Sequence, residues 1–216
     1  MVAQSEVAET RCPGTNIRVF APDNASEART CAAVLRGIEQ LAPCGLAISE
    51  PVRLIHSPGP ILNDPDCMGA LHCDEGRIEM LHPSVLSARL RKALPLSDLD
   101  DAALVDFILL HELVHAAVTQ MDTGSRVSQL EDEDIAQAIS FDALPRAARD
   151  KLVSLRGFDR PVRKVELTED FLWMDPIGFG ILAWLHFSTP GNGCAFIARL
   201  MNGSSDLFDR RMFDHP

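Results

Sequence analysis

The sequence predicts one α+β domain of 216 residues: a small twisted N-terminal sheet with a helix packed on it, one long apolar helix, and a helical C-terminal half. Three observations predict it. Short alternating or β-branched runs, punctuated by Pro and Gly, fill the region up to about residue 95; a stretch of 21 residues without Gly or Pro spans 99–119; and beyond 129 the apolar residues recur at helical spacing. The α+β half is therefore placed at about 12–95, and the long helix with the helical half at about 97–205. No Ser/Gly-rich linker, repeat or low-complexity run marks a second domain, and at 46% hydrophobic residues the chain can bury one good core.

The elements follow in order. Ile17 to Ala21 (IRVFA) reads as a short strand, and Ala25 to Leu41 as an amphipathic helix stopped by Pro43 and Gly45. Pro51 to His56 (PVRLIH) and Arg77 to Leu81 (RIEML) read as further strands. A twisted sheet with one helix on its face is the minimum that buries these patterns. Leu99 to Thr119 reads LDDAALVDFILLHELVHAAVT, with Ser97 available as N-cap and Asp98, Asp100 and Asp101 in the first turn, where the helix dipole favours negative charge. After it come helices at about 131–143, 146–155, 169–174, 177–187 and 193–202.

The long helix carries the chemistry. Its C-terminal half is apolar on nearly every side, so it belongs in a core, yet it holds His111, Glu112 and His115. Burying an ionised Glu and two His without partners costs several kcal/mol or forces large pKa shifts, on the order of 3–5 units. A divalent cation in a cleft resolves the conflict. Two imidazoles four apart on a helix point the same way and can hold one zinc ion, with the intervening glutamate beside it as proton acceptor for a metal-bound water.

A zinc site of this kind needs a third protein ligand. The run Gln129 to Ile139 (QLEDEDIAQAI) offers Glu131, Glu133 and Asp134 at the start of a helix, with Gln137 one turn after Glu133 and able to brace a ligand. Glu133 is the ligand chosen; Glu131 shares a face with Ile135, Ala138 and Ile139 and is the reserve, and Asp134 also stays open. The bare alternative is an acidic first turn that only complements a helix dipole.

On HELVHA (111–116) and EDIAQA (133–138) the chain resembles zincin metallopeptidases with a glutamate third ligand, and within them small secreted bacterial proteins with a Cys-rich N-terminal half. That resemblance covers about a fifth of the chain. It implies a zincin-like fold, zinc held by His111, His115 and Glu133, and a strand ahead of the active-site helix at the lip of the cleft, which would be Arg77 to Leu81. It also implies an oxyanion donor, often Tyr or His. The chain has no tyrosine. His186, on ILAWLHF, and Arg160 are the candidates that remain.

Composition sets outer limits. A net charge of −11 argues against nucleic acid and anionic membrane and suits a neutral or basic peptide. No window of about 18 continuous apolar residues predicts a membrane span. Six cysteines, five of them among the first 73 residues, fit an oxidising compartment, periplasmic or secreted. The short loop between Cys67 and Cys73 predicts a disulfide there; a weaker reading has Cys67, His72 and Cys73 holding a structural metal. Val2 to Glu6 is polar and reads like the start of a mature exported protein behind an added Met, so export rests on the cysteines.

Two functions fit. One is a zinc peptidase acting on a peptide or protein substrate, in which Glu112 takes the proton of the attacking water and passes it to the leaving amine. The other is a non-catalytic binding or scaffold protein with a structural or vestigial zinc site. Oligomeric state and specificity stay open in either.

Overall fold

Buried residues at every second position in three short runs build the centre of the sheet. A computed structural model of the chain describes residues 8–21, 23–65, 67–94, 99–122, 124, 127–158, 160, 162–204 and 207. In it β2 (Ile17–Ala21), β3 (Val52–Ser57) and β5 (Arg77–Leu81) lie parallel, with β1 (Ala8–Arg11) and β4 (Gly69–His72) antiparallel at the two edges, in the order β1-β2-β3-β5-β4. Ile17, Val19, Val52, Leu54, Ile78 and Met80 point to one face and are sealed from solvent. The opposite face carries Arg11, Arg18, Arg53 and Arg77 in one register row. Like charges side by side repel, and glutamates relieve three of the four: Arg18 pairs with Glu9 at 2.7 Å, Arg53 with Glu75 at 3.7 Å, and Arg77 with Glu75 and Glu79 at 2.8 and 2.7 Å.

Arg77 to Leu81 is therefore an inner strand, and the cleft-side edge is β4. The half-exposed GALH of β4 lacks a β-branched run, so its pattern does not announce a strand; the Cys73–Glu75 turn, closed by Gly76 at φ +55°, folds it back onto β5. Strand β1 and helix α2 (Pro83–Ala93) likewise go beyond the elements expected from sequence. Helix α1 (Asn24–Leu41) starts where the Asp23 carboxylate accepts from the Ser26 N–H at 2.7 Å, and ends at the Ala42–Cys44 turn with Gly45 at φ +70°.

The long helix α3 (Asp101–Met121) begins after Asp100, whose carboxylate accepts from Ala103 N–H at 2.7 Å. Ser97, the expected cap, lies outside the described residues, as do Asp98 and the polar segment Val2 to Glu6. By length and composition alone α3 could cross a membrane, but most of it is covered by α1, α2, the sheet and α4 (Gln129–Ala143). Of its residues, Leu104, Leu109, Leu113, Val114 and Ala117 are at most 1% exposed, which makes it the core helix. Four helices complete the C-terminal half: α5 (Arg146–Arg156), α6 (Glu169–Met174), α7 (Pro176–Phe187) and α8 (Cys194–Met201). Helix α7 packs on α4 opposite α3, so the three form a layer whose middle member carries the acidic run.

Two disulfides tie these layers. Cys12–Cys31 joins the β1–β2 turn to α1, and Cys44–Cys194 joins the end of α1 to the start of α8. The expected Cys67–Cys73 bond is absent, and both thiols are free. The reason is β4, which lies between them: an extended run of that length separates its ends by roughly 15–20 Å, far beyond the Cα separation of about 4.4–6.8 Å that a disulfide allows. Cys67, His72 and Cys73 do not gather around a metal either. Cys67 Sγ donates to the Gly69 carbonyl, His72 meets Glu79 at 3.2 Å, and Cys73 turns to Thr119.

Non-reducing peptide mapping should recover Cys12–Cys31 and Cys44–Cys194, with Cys67 and Cys73 open to alkylation after denaturation. Because Cys44–Cys194 spans 150 residues, loop closure puts its contribution at up to about 5 kcal/mol. The Cys44→Ala/Cys194→Ala variant should lower the denaturation midpoint accordingly, and an unchanged midpoint would show that the bond adds nothing to net stability.

Candidate metal centre

Helical geometry places His111 and His115 one turn apart on the face of α3 that meets α4. Their Nε2 atoms approach to 3.0 Å, with the rings nearly perpendicular at 86°. Glu133, in the second turn of α4, closes the group: its Oε2 is 3.5 Å from His111 Nε2 and its Oε1 3.8 Å from His115 Nε2. Tetrahedral zinc with bonds of about 2.0–2.2 Å sets ligand atoms roughly 3.4 Å apart, so separations of this size suit one ion. Among the described residues this is the group of His, Cys, Asp and Glu that can hold a metal, and its ligand atoms all lie within 4.8 Å of one another.

The electrostatics match that reading. Burial, with the neighbouring His115, holds the His111 imidazole well below its ordinary pKa. Burial also works against charge on His115, but the Asp132 hydrogen bond and the carboxylates of Asp132, Glu112 and Glu133 outweigh it and carry the ring up to about 9. Burial pushes Glu112 up to about 7, with Glu133 and Asp132 adding and His115 opposing, and burial raises Glu133 as well. Burial thus disfavours charge on His111, Glu112 and Glu133, while the carboxylates favour it on His115, and a divalent ion held by His111, His115 and Glu133 would favour their deprotonated forms.

Each residue of the acidic run has a different task. Glu131 caps its own helix: its Oε2 accepts from the Ser128 N–H and hydroxyl, both at 2.8 Å, while its Oε1 accepts from the Leu207 N–H at 2.9 Å. It is 3% exposed and is not a ligand. Asp134 is buried away from the histidines, pushed up to about 8 by burial and then by Glu131, and is not a ligand. Asp132, which sequence reasoning passed over, accepts from His115 Nδ1 at 2.9 Å. That bond fixes the tautomer that leaves Nε2 free to ligate. Its only signal in sequence was an acid next to a ligand, indistinguishable from a helix-dipole partner.

Glu112 is 4% exposed and lies beneath β4, where the Leu71 main chain supports its carboxylate. A side chain at Gly69 would put its Cβ 2.7 Å from Glu112 Oε1, so the edge strand can come this close only because residue 69 is glycine. A cavity of about 300 Å³ opens over His111, Glu112 and Glu133 between β4, α4 and the start of α7, with apolar walls from Leu94, Phe107, Ile108, Phe141 and Ile177. A larger cavity of about 430 Å³, between α1, α2 and the first turn of α3, holds no such ligand group.

The other expected residues lie elsewhere. His186 faces α8, edge-on to Phe196 with ring centroids 4.6 Å apart, and does not line the cavity. Arg160 pairs with Glu166 on an exposed edge. Neither lines the cavity over Glu112. Gln137 does line the cavity but makes no hydrogen bond to His111, His115 or Glu133, so it braces none of them.

Asp132→Asn should weaken zinc binding by about 10- to 100-fold in a competition titration, the usual effect of losing an outer partner of a ligating histidine. Glu131→Ala should leave zinc affinity alone and lower stability by about 1–2 kcal/mol through the lost cap. A reversed result would exchange their assignments.

A family model described as a family of unknown function, DUF6639, matches residues 17–210. No curated protein and no solved structure matches the chain.

Proposed function

We propose that this chain, which belongs to the family of unknown function DUF6639, is a zinc-dependent peptidase of the zincin type that works outside the cytoplasm. One observation carries the reading: the ligand atoms of His111, His115 and Glu133 converge, and His111 and Glu133 line a cavity together with the buried carboxylate of Glu112. A purely structural zinc site is normally closed by four protein ligands, whereas the group here offers three and borders a cavity. The two disulfides are compatible with an extracellular or periplasmic location.

Bound zinc supplies acidity to a coordinated water and polarises a carbonyl. The chain's own residues do the rest. The Glu112 carboxylate takes one proton from the attacking water, whose oxygen bonds to the peptide carbonyl carbon; as the C–N bond breaks, the same carboxyl returns the proton to the departing amine. A pKa raised to about 7 by burial suits a group that must first accept and then donate near neutrality. Asp132 keeps His115 in its ligating tautomer, and the apolar walls exclude bulk water around the reacting bond. An extended peptide can add to the sheet along the open edge of β4, directly over Glu112. The charge of −11 favours neutral or basic peptides.

The test is a diverse peptide-library digest with zinc-loaded wild type, chelated wild type and Glu112→Gln. Glu112→Gln should keep its zinc and its thermal midpoint while losing hydrolysis by a factor of about 100 or more. A zinc-loaded wild type that cleaves nothing across the library would favour the binding-protein reading, and loss of zinc in Glu112→Gln would make that residue part of the metal's support.

A further inference from the structure

The chemistry proposed above leaves one place unfilled. As water attacks, the peptide carbonyl oxygen gains negative charge, and a positioned donor aimed at that oxygen accelerates acyl transfer. The chain has no tyrosine, His186 faces α8, and Arg160 is paired with Glu166 on the surface. The cavity nevertheless contains an amide that the fold does not use.

Gln137 stands one turn after Glu133 on α4 and so projects from the same side of that helix, into the cavity floored by His111 and Glu112. Its side chain is half-buried and makes no hydrogen bond with any described residue. The fold sets it in place nonetheless. Its amide oxygen rests over Gly180 of α7, where an added Cβ would lie 2.6 Å from Oε1 and 2.3 Å from the Phe141 ring. Room for the amide therefore depends on residue 180 having no side chain. A cavity-lining amide that the fold leaves without a protein partner keeps its N–H donors available to a molecule bound there. Other polar side chains lining the cavity are already assigned: His111 and Glu133 to the metal, Glu112 to the proton, while the Cys67 thiol donates to the Gly69 carbonyl.

We infer that Gln137 is a catalytic residue of the proposed peptidase, its Nε2–H donating to the carbonyl oxygen of the scissile peptide as that oxygen becomes anionic. The proton stays on the nitrogen throughout, and no bond to Gln137 forms or breaks. The inference rests on the peptidase reading, but it assigns the group that replaces a tyrosine in a chain that has none.

Gln137→Met keeps the length and removes the donor; Gln137→Asn keeps the amide and withdraws it by one methylene. Three quantities are read on zinc-loaded protein: zinc affinity by competition, kcat and KM on the peptide cleaved fastest in the library, and the affinity of a phosphinic tripeptide that mimics the tetrahedral carbon. In both variants kcat should fall by about 100- to 1,000-fold, the range for losing one oxyanion donor, with KM within about threefold of wild type. Phosphinic affinity should fall in parallel and zinc affinity should not change. In ¹⁵N-labelled wild type the Gln137 side-chain amide resonance should shift on phosphinic binding, whether or not any library peptide is cleaved. An unchanged kcat and phosphinic affinity in Gln137→Met overturns the assignment while leaving the peptidase intact, and a loss confined to KM makes Gln137 a ground-state contact only. Wild type that neither takes up zinc nor binds the phosphinic peptide overturns the peptidase reading and this one with it.

Discussion

Everything about the site depends on α3 being largely buried while carrying two histidines and a glutamate on its covered faces. An apolar helix sealed by the sheet, α1, α2 and α4 cannot leave such groups to water. They must be met by partners on the neighbouring elements, and the partners come from the elements packed against the same turn of the helix. Helix α4 brings Glu133 and Asp132 to the histidines, and β4 brings its main chain over Glu112. The centre thus lies at the junction of α3, α4 and β4, where helix geometry sets the two histidines and packing brings the carboxylates and the strand to them.

The acidic run at the start of α4 shows how finely that packing sorts like residues. Four consecutive carboxylates leave a helix about 100° apart, so they cannot share one environment. One caps the helix and anchors the Leu207 main chain, one orients a histidine, one approaches both histidines, and one is buried behind them with its pKa raised by burial. The run therefore combines local helix chemistry with the long-range site, and a change at any of the four should be read against its own neighbours.

Glycine enables two of the close approaches around the cleft, through lack of bulk. At Gly69 the edge strand can lie on Glu112, and at Gly180 helix α7 can accommodate the Gln137 amide and the Phe141 ring. Both positions have ordinary backbone conformations, so what they supply is space. The disulfides act at longer range. Cys44–Cys194 ties the end of α1 to α8 and thereby holds the far end of the helical layer against the sheet half.

Local periodicity determined much on its own: three of the five strands, α1, the long core helix, the later helices and the His-Glu-x-x-His face are legible because i, i+4 and i, i+2 spacings are properties of the chain itself. Glu133, expected as third ligand from its place in the EDIAQA pattern, lies 3.5 and 3.8 Å from the Nε2 atoms of His111 and His115. Tertiary structure alone decided the rest. The pairing of Cys44 with Cys194, the role of Asp132, the placement of His186 against Phe196 and of Gln137 in the cleft, and the identity of the edge strand all follow from which surfaces meet. The Cys67–Cys73 expectation failed for the same reason: sequence separation counts residues, whereas a disulfide requires a distance, and an intervening strand makes the two diverge.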